Sequence, residues 1–158
     1  MNDYTAVQLR FTAGDADALR RAAVAAYPEE CCGFLVGEGD RLITVTAVVP
    51  AVNTAGDPRR AFAIDPQAHF DLLRRARECG RRVVGHYHSH PECAARPSSH
   101  DLAMAYDPDA VWVVMAATAQ GASPPRAFRH PLGTDCFVEV PIVISTSESH
   151  VDSMGNPS

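Results

Sequence analysis

No stretch of this chain approaches the roughly 18 uninterrupted apolar residues that a membrane-spanning helix requires. The opening residues, Met1-Asn2-Asp3-Tyr4, lack the basic segment and long apolar run of a secretory signal. Positive charge is also in deficit: 14 Lys and Arg stand against 19 Asp and Glu, a formal net charge of −5. Nucleic-acid binding normally needs a strongly basic face, so neither a nucleic acid nor a membrane is expected as partner. The local exception, Arg74, Arg75, Arg77, Arg81 and Arg82, falls on a helix and its exit, where such runs are solvated faces. Cysteine gives no disulfide framework, because the five are odd in number, with Cys31-Cys32 adjacent and Cys79, Cys93 and Cys136 scattered. These absences together lead to an expected cytoplasmic location.

What is present is an ordinary globular composition. With 158 residues, 46% apolar and 21% charged, the chain can bury one real core. Residues 1–144 read as a single domain without repeats. Residues 145–158, mostly Ser, Asn, Gly, Pro and Asp, offer little to bury and are expected to form a disordered tail.

Alternating Val7, Leu9 and Phe11 predict a first strand over Ala6–Phe11. A helix follows from Asp15, with Leu19, Ala22, Ala23 and Ala26 at helical spacing and Pro28 at its end. Cys32–Gly37 and Leu42–Val49 read as strands, Ala51–Arg60 as a loop, and Ala61–Ile64 as a further short strand. A second helix has clear limits: Asp65 caps it, Pro66 suits its first turn and Gly80 its exit. Its expected buried stripe is His69, Leu72, Leu73 and Ala76. Arg82–Tyr87 runs as a strand into the histidines, and a short helix begins near Ser98 or Ser99. Ala110–Ala117, Ala127–Arg129 and Phe137–Val143 complete the strands. Strands interspersed with helices imply an α/β or α+β layered fold.

The chemistry concentrates in one run. His88 and His90 are two apart on a strand, so both imidazoles share a face, and Pro91 ends the strand just beyond them. Asp101 follows thirteen residues after His88, in the first turn of a helix capped by Ser98 or Ser99. Two histidines and a carboxylate are a common ligand set for catalytic zinc, with the fourth position left for water. The spacing alone leaves the register open, since His86 shares the face and His86 with His88 would serve as well. A metal-activated water also needs a base. Glu29 and Glu30, at the entrance of the Cys32 strand, both qualify, and the chemistry does not choose between them.

Glu30-Cys31-Cys32-Gly33, then His88-Ser89-His90-Pro91, then Ser98-Ser99-His100-Asp101 resembles, in order and spacing, the pattern of the JAMM (MPN+) metallopeptidases. The likeness extends over about residues 5–143. It implies a mixed central sheet flanked by helices, in the cytidine-deaminase-like architecture of that family. It also implies Zn2+ held by His88, His90 and Asp101, Glu30 as general base and then acid, and Ser98 as donor to the oxyanion. His86 becomes a candidate pocket wall and His100 an exposed residue. Family members cut peptide or isopeptide bonds at the C-terminus of ubiquitin-like proteins, and the compact single domain resembles the prokaryotic branch. The implied partner is therefore a small sulfur-carrier protein ending in Gly-Gly, approached between the loops Ala51–Arg60 and Glu92–Pro97.

Four rivals are weaker. A non-catalytic zinc-containing module that docks a partner would have no need of the complete motif. A zinc nucleobase deaminase needs His-x-Glu and Pro-Cys-x-x-Cys, and neither occurs. The RadC-like branch, linked by name to DNA repair, carries His-Asn-His-Pro where this chain has His88-Ser89-His90-Pro91. Cys93 as a protease nucleophile would leave the neighbouring histidines without a shared purpose.

Overall fold

The computed structural model describes residues 7–146. β1 (Gln8–Thr12) leads into α1 (Ala13–Ala26), followed by the antiparallel pair β2 (Cys32–Glu38) and β3 (Leu42–Ala51). α2 (Pro66–Glu78) crosses to β4 (Arg82–Pro91), and α3 (Ser99–Ala103) precedes β5 (Val111–Thr118). β6 (Gly121–Ala122), β7 (Arg126–Arg129), β8 (Val138–Val140) and β9 (Ile142–Ser145) follow. The strands form one sheet in the order β8-β7-β5-β4-β2-β3-β1-β9, with β6 against β5. Parallel pairs (β4 with β5, β1 with β3 and β9) mix with antiparallel ones, which is the layered α+β arrangement expected. Among the described residues no helix is long and apolar enough to cross a membrane.

The two edge strands are consecutive in sequence, separated only by Pro141. The sheet therefore curls until its edges meet at that corner, where the Pro141 carbonyl accepts from Leu9 N–H at 2.9 Å. The single strand expected over Phe137–Val143 is thus two, because Pro141 has no N–H to continue a ladder. α1 touches β1, β3, β4, β5, β6 and β9, so the curled sheet wraps round it. Leu19 and Ala23 are buried there with Leu9, Phe11, Leu35, Tyr87, Val113 and Met115. α2 covers the other face, where Leu72 and Ala76 pack on Phe34 and Val36. Alternation along β2 divides these residues, Leu35 inward to α1 and its neighbours outward to α2.

β4 obeys the same alternation only after an interruption. Leu35 pairs with Gly85 but Val36 pairs with Val83, which leaves Val84 as an extra residue opposite β2. This bulge shifts the phase of the strand. Val84 and Tyr87 both enter the α1 core, and His86, His88 and His90 turn to the opposite face.

Several boundaries differ from expectation. α1 starts at Ala13, because Thr12 and Asp15 cap each other reciprocally: Asp15 N–H donates to Thr12 Oγ1 at 3.0 Å and Thr12 N–H to Asp15 Oδ2 at 3.2 Å. Ala61–Ile64 is no strand; Ala63 N–H donates to the Asn53 side chain at 3.1 Å instead of to a ladder. α2 begins and ends as expected, with Asp65 as cap and Gly80 at a left-handed φ of 68°. Its stripe is narrower than expected. Leu73 is 41% exposed, and His69 lies outside the core, stacked on Phe34 with ring centroids 4.7 Å apart. β9 reaches Ser145, one residue into the stretch assigned to the tail, and residues 147–158 lie outside those described.

Gly85 has a specific steric role, since a Cβ there would lie 2.0 Å from the Val111 carbonyl oxygen across the β4–β5 ladder. Gly85→Ala should cost about 1–3 kcal/mol or more and lower the melting temperature by several degrees. Gly56→Ala, with nothing within 4 Å of its new Cβ, should melt close to wild type in the same thermal scan.

Candidate active site

β4 lies between β2 and β5, so groups on it are buried on both flanks: Cys32 pairs with His88, and His88 with Val114. The outward parity set by the bulge at Val84 then brings His86, His88 and His90 to one surface. Beyond Pro91 the chain turns through a loop to α3, whose N-cap is Ser98. Ser98 Oγ accepts from Asp101 N–H at 3.1 Å, and Ser98 N–H donates to Asp101 Oδ2 at 2.8 Å. This reciprocal cap fixes the Asp101 carboxylate, and the fixed oxygen points at the histidines.

Asp101 Oδ2 lies 3.2 Å from both His88 Nε2 and His90 Nε2, which are themselves 3.0 Å apart. Ligands on a tetrahedral zinc with bonds near 2.0–2.1 Å would be separated by about 3.3 Å. The triangle therefore fits such an ion. The tautomer fits as well: His90 Nδ1–H donates to the Ala94 carbonyl at 3.1 Å, leaving the Nε2 lone pair facing the other two atoms. His88 Nδ1 is buried without a partner, and its ring stacks on Phe62 with centroids 4.6 Å apart. Glu30 offers an oxygen within 4.8 Å of nitrogens of both histidines, so it stands beside the triangle.

All four groups are buried: Glu30 is 5% exposed, His88 0%, His90 9% and Asp101 4%. Burial works to raise the Asp101 carboxyl, but hydrogen bonds with His88 and His90 outweigh it and hold Asp101 below the ordinary carboxylate range. Burial pulls His88 down, and the neighbouring Asp101 only partly opposes it. At His90 the balance reverses: burial lowers it, but Asp101 and the Ala94 carbonyl raise it further. Glu30 is pushed up to about 7, chiefly by burial, with His90 opposing. His86, packed edge-on against Trp112 at 4.2 Å, is driven down to about 3 by burial and by His88.

A cleft of about 640 Å3 opens on Glu30, His90 and Ser98. Arg59 and Arg60 line it, as do Glu92 and Cys93, so both loops expected as walls contribute. The Tyr27 hydroxyl donates to Glu92 at its rim. Ser98 uses its oxygen as cap acceptor, which leaves its O–H free to donate into the cleft. His86 lines a second recess of about 380 Å3 with Trp112 and Phe34, and His100 is exposed.

Residues 12–130 match the Prok-JAB family, prokaryotic homologs of the JAB domain. The chain belongs to that family. It is 39% identical over 95 residues to a desampylase of Haloferax volcanii, a match taking in 60% of this chain and 68% of that protein. Against a desampylase of Pyrococcus furiosus it is 30% identical over 86 residues, which are 54% of this chain and 59% of that protein. The solution structure of a Desulfitobacterium hafniense protein superposes with a TM-score of 0.78 at 26% identity, covering 95% of this chain and 100% of the other. The chain is accordingly a JAMM-type hydrolase.

Three contributors escape a reading of the sequence. Ser89 Oγ accepts from Cys31 N–H at 2.8 Å, and Ser89 N–H donates to the Cys31 carbonyl at 3.2 Å, which fixes the residue after Glu30. The alternation that unites His88 and His90 also sends Ser89 to the opposite face, so that signal was available. Phe62 and Asn53 gave none, because both lie in segments that read as strand and loop.

The raised Glu30 carboxyl has a measurable sign. The folded state binds its proton more tightly than the unfolded chain, whose value is 4.5, so its contribution to stability is complete below that pH and is lost as pH rises through about 7. In chelator-treated protein, Glu30→Gln should melt a few degrees above wild type at pH 8. The gap should close at pH 4, read by thermal scans across the range.

Proposed function

We propose that this chain hydrolyses the peptide or isopeptide bond following the C-terminal glycine of a small ubiquitin-like protein, of the sulfur-carrier kind ending in Gly-Gly. The observation that carries this reading is the His88–His90–Asp101 triangle with the buried Glu30 beside it. The desampylase relatives support the ubiquitin-like class of substrate. His88, His90 and Asp101 would hold Zn2+, which when bound would supply a Lewis acid for the scissile carbonyl and lower the pKa of a water toward about 7.

The chain's own residues perform the rest. Glu30, with a value near 7, accepts the proton of the attacking water and passes it to the departing amine. Ser98 donates its free O–H to the carbonyl oxygen as negative charge develops there. The cleft lined by Arg59 and Glu92 receives an extended tail, for which glycines without side chains are suited. Residues 1–144 would form the catalytic domain. Cytoplasmic action belongs to the same reading, on the strength of the odd and scattered cysteines.

The test combines metal analysis with turnover of a ubiquitin-like fusion bearing a Gly-Gly junction. Glu30→Gln should retain zinc and lose turnover by about 100-fold or more. His88→Ala and Asp101→Ala should lose both zinc and turnover. Full turnover in Glu30→Gln would remove the mechanism. Zinc-loaded wild type inert toward a panel of such fusions would point instead to a docking module.

A further inference from the structure

Glu30 precedes β2 and belongs to no regular element, yet a base must be held to within a fraction of an ångström of its proton path. Its backbone is anchored from the loop that follows β3. Glu30 N–H donates to the Pro58 carbonyl at 2.8 Å. The Glu30 carbonyl accepts from Asn53 Nδ2 at 3.1 Å. The same amide donates to the Ala61 carbonyl at 3.0 Å, with the Pro58 carbonyl farther off at 3.5 Å. Its oxygen accepts from Ala55 N–H at 3.0 Å and Ala63 N–H at 3.1 Å.

One side chain therefore ties Glu30 to the backbone on either side of Phe62, the ring stacked on His88. We infer that Asn53 is a positioning residue for catalysis: its amide holds the Glu30 carboxylate and the Phe62 ring in register with the His88–His90–Asp101 triangle. The inference rests on Glu30 acting as the base. Asn53 bonds none of the triangle residues and does not itself line the cleft, so it acts through Glu30, which does. Its N–H donors are taken up by the Glu30 and Ala61 carbonyls, and an aspartate there could supply neither.

Asn53→Ala and Asn53→Asp should retain bound zinc and KM near wild type while kcat falls by about 10- to 100-fold. Asparagine's acceptor side survives in Asn53→Asp, so loss there assigns the effect to the donors on the Glu30 and Ala61 carbonyls. In a Glu30→Gln background Asn53→Ala should cost far less of the residual turnover than it costs wild type, because the base is gone and only the Phe62 ring is left to hold. Thr54→Ala removes a hydroxyl that donates to the Ala63 carbonyl at 3.1 Å, loosening the same loop without touching Glu30, and should keep kcat. Wild-type kcat in Asn53→Ala, an equal loss in Thr54→Ala, or an additive loss with Glu30→Gln would each overturn the proposal. A second readout needs no activity: in Asn53→Ala the Glu30 and Ala63 amides should exchange with deuterium at least about tenfold faster while the β4 amides keep their protection. Wild type inert on the fusion would count against the hydrolytic reading alone, and the exchange measurement would then decide for or against Asn53. Unchanged exchange would overturn it.

Discussion

At Val84, β4 places one residue more than β2 opposite it, and the phase of everything downstream follows from that insertion. Without the bulge, the strand face that carries Val84 into the α1 core would carry His86, His88 and His90 there too. With it, an apolar residue stays in the core while three imidazoles emerge on the far face. The close approach of Gly85 to Val111 belongs to the same adjustment, since the shifted strand still has to pair in parallel with β5 through Pro91.

Such a site is expensive to bury unless its members satisfy one another. Asp101 Oδ2 accepts from Ser98 N–H and meets both imidazoles, His90 is closed off by Ala94, and Glu30 is left with a carboxylate that burial makes reluctant to ionise. The group with the fewest compensations is thus the one whose proton moves most easily near neutral pH. The same enclosure acts on both carboxylates, and Asp101 differs from Glu30 in the hydrogen bonds that offset its burial.

Much of this was legible in the residues. The caps of α2, the run of strand into His88 and the shared face of His88 and His90 depend on local chemistry and on period, and they emerged where expected. Asp101 was legible because Ser98 three residues earlier marks a helix start that orients it. Which two of the three histidines join it was not, since His86 has the same parity; the family resemblance supplied that choice. The misses share a tertiary cause. Phe137–Val143 reads as one β-rich run, but its halves serve opposite edges of a curled sheet. Ala61–Ile64 has strand composition, but an asparagine eight or more residues earlier captures its backbone. His69 and Leu73 have helical spacing, but the contact between α2 and the sheet is only one residue wide at each turn.

The pairing of β9 with β1 joins the last described strand to the first. During synthesis the N-terminal strand must wait beside β3 with one flank bare until Ile142–Ser145 has emerged. The histidines, the carboxylates and α1 are all made before that moment. A chain that stops short of Ile142 would keep the histidines and carboxylates of the site while leaving β1, otherwise internal to the sheet, with one flank unpaired.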